Sequence, residues 1–192
     1  WLTMRLTVMV LRFNERRATE AAAEFLKLRG GRMSYLKLIK LLYLLDREAL
    51  LRWGRPVTTD RYVAMNNGPV VSRIHDMIRD EPAPGTVSIW RQFISAPANY
   101  EVTLAAEPER DELSRAEESL IEEVFSRYGK LSRWDLVNLS HELPEWQDPN
   151  GSAIPIQYRD ILRAGNKTEG EIATVEAELE SLAAAEAMLQ PV

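Results

Sequence analysis

Between Ser34 and Gly54 the chain reads YLKLIKLLYLLDREALLRW, residues 35–53. Projected at the helical repeat, Lys37, Lys40, Arg47, Glu48 and Arg52 fall on one polar stripe, and Leu, Ile, Tyr and Trp fill nearly everything else. The spacing predicts a core helix over these residues, ended by Gly54 in a left-handed exit and by Pro56. Asp46 projects to the middle of the apolar face, among Tyr35, Ile39, Leu42, Leu50 and Trp53. An unpaired charge there costs several kcal/mol, so Asp46 must be protonated, bound to a cation or paired with a donor, for which Arg55, Arg61 or backbone N–H groups around Asn67-Gly68 are the nearest candidates.

Working outward, Ala18, Ala21, Ala22, Phe25 and Leu26 predict a helix from Asn14 to Arg29, stopped by Gly30-Gly31. Asn66-Asn67-Gly68 is turn chemistry, and Pro69 at a first helical position predicts a helix to about Arg79 with Val70, Val71, Ile74 and Ile78 inside. Residues 81–85 read as a loop, and the apolar runs 87–94 and 100–104 as two antiparallel strands. Ser114 with Glu117 opens a helix to Tyr128. Further helices are expected at Ser132–Glu142, Pro155–Ala164 and Thr168–Leu189, the last with Ile172, Val175, Leu179, Leu182 and Leu189 at 3-4 spacing and a run of glutamates. The class expected is mainly α: a compact helical domain of about six to seven helices with a small antiparallel β element. It spans residues 13–192, with an acidic C-terminal helix over 168–189 and an N-terminal extension at 1–12.

With 192 residues the chain is long enough for one hydrophobic core. It contains no cysteine, which removes disulfides, thiolate nucleophiles and cysteine-held zinc and suits the cytoplasm. A net charge of -5 opposes a phosphate-binding footprint, so no nucleic-acid partner is expected. The apolar stretch 36–53 is broken by six charges and cannot span a bilayer, and residues 1–11 lack the apolar core and cleavage site of a signal peptide.

Chemistry finds few residues to work with. His141-Glu142 begins a zinc-protease motif that needs a second His at position 145, where Glu145 stands behind Pro144. His75 and His141 are the only histidines, so a multi-histidine metal site is excluded, while a carboxylate-held Mg²⁺ stays open. No glycine-rich phosphate loop joins a strand to a helix, and no serine has a nucleophile-elbow context. The expectation is a protein without cofactor or catalysis that works by binding another protein.

Three stretches together are more specific: 35–48 (YLKLIKLLYLLDRE), 67–72 (NGPVVS) and 139–146 (LSHELPEW). Their order and separation resemble the Panacea domain, also called the SocA-like antitoxin or phage-associated domain, over roughly Phe13 to Ala164. The resemblance implies an antitoxin that neutralises a cognate toxin by direct contact. A regulatory or phage-associated binding module, including a protease adaptor, is the alternative. It directs attention to Lys37, Lys40, Asp46, Asn67, Gly68, Pro69, His141, Pro144 and Trp146 as motif or partner-binding positions. Asn67 departs from the His expected before the Gly-Pro turn, and residues 1–11 have no counterpart in the family. One stripe of the C-terminal helix is further expected to pack on the body or on a second subunit while its acidic face meets a basic partner.

Overall fold

A computed structural model describes residues 11–79 and 87–189. The chain begins with α1 (Glu15–Leu28), whose N-cap Asn14 accepts the Arg17 N–H at 3.1 Å. Gly30 and Gly31, both at positive φ, turn it into β1 (Arg32–Ser34) and then α2 (Tyr35–Trp53). Gly54 at φ +72 ends α2 in the left-handed region, as the Gly-x-Pro sequence requires.

Next come β2 (Tyr62–Met65), β3 (Gly68–Val71) and α3 (Ser72–Arg79), followed by α4 (Ile89–Phe93) and β4 (Glu101–Thr103). Helix α5 (Arg115–Tyr128) and α6 (Arg133–His141) open on capping boxes at Ser114/Glu117 and Ser132/Asp135. Strand β5 (Ile154–Ile156) leads to α7 (Tyr158–Ala164) and α8 (Glu169–Met188), the latter capped by Thr168/Glu171. Eight helices and two small antiparallel sheets among the described residues make the fold mainly α. One contiguous apolar cluster runs from Leu11 to Ala183, with α2 at its centre against α1, α5, α6, α7 and β3. No helix among the described residues is long and apolar enough to cross a membrane.

Several expectations are corrected. The helix predicted from Pro69 starts at Ser72, because Gly68–Val71 pairs with Tyr62–Met65 as a hairpin around Asn66-Asn67. Pro69 is tolerated there because β3 lies at the edge of the sheet β3-β2-β5. Likewise Ile154–Ile156 pairs with β2 as the other edge strand, with Pro155 in its middle, and the helix begins only at Tyr158. The run 87–94 is not a strand. Ser88 caps the short helix α4, and the Glu15 carboxylate accepts Ser88 Oγ–H and the Trp90 N–H, each at 3.0 Å. Strand β4 therefore pairs with β1, and Ile94 contributes only a single bridge to Leu104. The loop expected at 81–85 and residues 1–10 of the N-terminal extension lie outside the described residues.

The polar stripe of α2 is open to solvent only at its C-terminal end, where Arg52 is exposed. Lys37 and Lys40 are buried, and Arg47 is half-buried, because partners from distant elements close over them. At its far end Trp53 is exposed rather than part of the face around Asp46. On α8 the 3-4 seam holds only partly: Ile172, Leu179 and Ala183 are buried, but Leu182 and Leu189 are 43% and 84% exposed.

Candidate functional site

The three motif stretches converge on the β2–β3 hairpin. Lys40, fully buried on α2, donates from Nζ to the Pro69 carbonyl at 2.6 Å. Gly68, at φ +89, has room for no side chain: a Cβ would lie 2.3 Å from Ser140 Oγ and 3.0 Å from Lys40 Nζ. Trp146 donates from Nε1 to the Met65 carbonyl at 3.2 Å, and its ring stacks on His141 with centroids 4.1 Å apart. The 139–146 element, with the end of α6, therefore holds the hairpin beside α2. Burial brings the Lys40 ammonium down to about 7.

Lys37 has a different task. Its Nζ donates to the carbonyls of Gly129 and Leu131, both at 2.7 Å, and so closes the C-terminal end of α5, where helix carbonyls lack partners. Its ammonium is held below the ordinary lysine range by burial and then by the nearby Arg29 charge.

Asp46 is fully buried, and it draws its donors from the segment just after α2. Oδ1 accepts the N–H groups of Val57 at 2.9 Å and Thr58 at 2.8 Å, while Oδ2 accepts Thr58 Oγ1–H at 2.5 Å and Tyr62 O–H at 3.0 Å. Arg55, Arg61 and the backbone at Asn67-Gly68 are not its partners, because Pro56 turns the chain so that Val57 and Thr58 arrive first. Burial raises the carboxyl to about 6 against the hydrogen bonds that favour its charge. Nearby Asp60, also buried, accepts the N–H groups of Arg61, Arg73 and Ile74 and thus caps α3.

Glu145 was not singled out by the motif reading, yet it joins two motif stretches. Its carboxylate accepts Tyr43 O–H at 2.9 Å and Arg47 Nε–H at 2.7 Å, both from α2. Spacing does not reveal this pairing: Glu145 stands immediately before Trp146 and 98 residues along the chain from Arg47 on the core helix. Of the motif positions, only Asn67 and Pro144 are exposed. Each borders a cleft. Asn67 belongs to one of about 330 Å³ with Tyr35, Ile39, Met65, His75 and Arg79; Pro144 belongs to one of about 350 Å³ with Glu145, Ile154, Asp160 and Arg163.

A family described as antitoxin SocA-like, Panacea domain, matches residues 38–147, more than half of the chain. The chain belongs to the SocA-like antitoxin, Panacea-domain family. The matched span begins inside α2 and ends just past Trp146, so it contains the Lys40, Asp46, Gly68-Pro69 and His141–Trp146 positions and leaves α1, α7 and α8 outside. No curated protein and no solved structure matches the chain. Within this Panacea domain the motif residues described above are chiefly those that hold α2, the β2–β3 hairpin and the 139–146 element to one another.

Proposed function

We propose that the chain is the antitoxin of a toxin–antitoxin pair and neutralises its toxin by direct protein–protein contact, without catalysis and without a cofactor. The observation that carries this reading is the family match across all three motif stretches. The use of the polar motif residues supports it: Lys37, Lys40, Asp46 and Glu145 each bond within the fold, which suits a scaffold that presents a surface. The cytoplasm is the compartment that a cysteine-free antitoxin would share with its target.

The test is growth rescue. Expression of the toxin encoded beside this chain should arrest growth, co-expression of the chain should restore it, and the two should purify as one complex. Rescue without a complex sinks the reading. Rescue that disappears when a cellular protease is removed turns it into delivery of the toxin for degradation.

A further inference from the structure

The end of the molecule where β4 meets the α5–α6 turn carries an aromatic and cationic face. Asn99 and Tyr100 form a two-residue turn, closed by reciprocal hydrogen bonds between Ala98 and Glu101 at 2.8 and 2.9 Å. Both turn residues have positive φ, +51 and +65, the mirror-image turn in which Asn-Gly is favoured. A tyrosine at the second position is backbone-strained, and this one is 67% exposed. Strain retained to hold a large side chain in solvent points to a use for that side chain.

Its neighbours share the pattern. The Arg133 guanidinium lies 5.9 Å from the Tyr100 ring centre and 5.4 Å from that of Trp134, itself 52% exposed. Tyr35 stands 6.4 Å from Tyr100, centroid to centroid, and lines the cleft of about 330 Å³ beside Asn67. Tyr, Trp and Arg are the residue types in which binding energy concentrates, and a cleft alongside gives an anchor somewhere to sit.

Charge selects the occupant. Arg29, Lys130 and Arg133 have no carboxylate partner among the described residues, and the cleft lining, which includes His75 and Arg79, contains no acidic side chain. The glutamates of α8, by contrast, are largely engaged at home: Glu169 with Arg163, Glu176 with Arg159, and Glu171 in the Thr168 cap. The basic groups at this end thus stand without carboxylate partners beside a cleft that carries no acid.

We propose that Tyr100, Arg133 and Trp134, with the cleft beside Tyr35, seat an acidic segment of the partner protein, its carboxylates on Arg29, Lys130 and Arg133 and an aromatic or aliphatic anchor in the cleft. The proposal rests on the reading of the chain as a toxin-binding antitoxin. Displayed random peptides panned in parallel on the full chain and on its Arg133→Glu/Trp134→Ala variant test the face without the toxin. The parent should enrich peptides with Asp or Glu flanking an aromatic or aliphatic residue, and the variant should not. A labelled peptide from that set should lose affinity on the order of 10-fold or more with Arg133→Glu alone, and bind less tightly as salt rises. Tyr100→Gly should raise the melting temperature, by relieving the turn, while weakening the peptide; a residue serving only the fold would not move the two in opposite senses. Enrichment of the same peptides on both proteins, enrichment of neutral or basic ones, or displacement of the peptide by a single-stranded oligonucleotide overturns the proposal. So does full rescue from the toxin by the double variant, which would leave the antitoxin reading standing. Selective acidic peptides with no toxin neutralised would keep the face and overturn the antitoxin reading instead.

Discussion

At Asp46 one carboxylate accepts four hydrogen bonds from Val57, Thr58 and Tyr62, in a site closed to solvent. Asp46→Ala strands all four donors, and chemical denaturation should show a loss of about 2–4 kcal/mol. Asp46→Asn should cost less, since its carbonyl oxygen keeps the two backbone donors and the hydroxyls of Thr58 and Tyr62 can rotate to accept. The pH dependence has a fixed sign. The folded carboxyl sits at about 6 against 3.8 when free, so the folded state holds the proton more tightly. The stability contributed is fully present below pH 3.8 and is lost as pH rises through about 6. The parent's advantage over Asp46→Asn should shrink across that window; an unchanged difference would mean that the carboxyl is not raised. Much of this was legible, since helical projection alone put a carboxylate on an apolar face. The donors were not, because they depend on the course of the chain after Gly54 and Pro56, which periodicity does not describe.

The β2–β3 hairpin is the element on which the motif stretches meet, and Gly68 is its tightest point. Gly68→Ala adds a left-handed alanine, roughly 1–2 kcal/mol, to a clash worth roughly 1–3 kcal/mol. Thermal melting should register the sum, and adding Ser140→Ala should return the larger share of the steric part only, since it removes the oxygen 2.3 Å from the new Cβ but leaves Lys40 Nζ at 3.0 Å and φ +89 unchanged. If the double variant melts no higher than the single one, Ser140 is not the obstacle. Elements of this kind escape sequence reading for a physical reason. Strands of three or four residues carry too few alternations to show a period, and Pro69 and Pro155 fit a first helical turn as well as an edge strand. Helix starts were legible because their chemistry is local: the Ser114/Glu117 and Thr168/Glu171 boxes lie where the spacing places them. The burial of Lys37 and Lys40 was not, because each amine is answered by a carbonyl from another element, Gly129 and Leu131 for one and Pro69 for the other.

At the scale of the whole molecule, α8 lies outside the span shared with the family and yet belongs to the same core. Ile172 and Leu179 are buried in it, and Val175 comes within 3.3 Å of where a Cβ on Gly54 would be. Ending the chain after Gly165 should therefore cost about 3–6 kcal/mol through the exposed core and promote self-association, read by denaturation and by gel filtration. A truncated chain that unfolds like the parent would show α8 to be dispensable. The β3-β2-β5 sheet has a different bearing on how a partner is met. Strand β3 is buried at every residue, packed by α2 and α6, and the middle residue of β5 is Pro155, which has no N–H to give. Neither margin offers the row of free backbone groups on which an extended peptide could zip. Copies of the chain cannot join sheet to sheet through this element, and a toxin cannot be captured here by lending a strand; at this sheet recognition is left to side chains, and so to sequence.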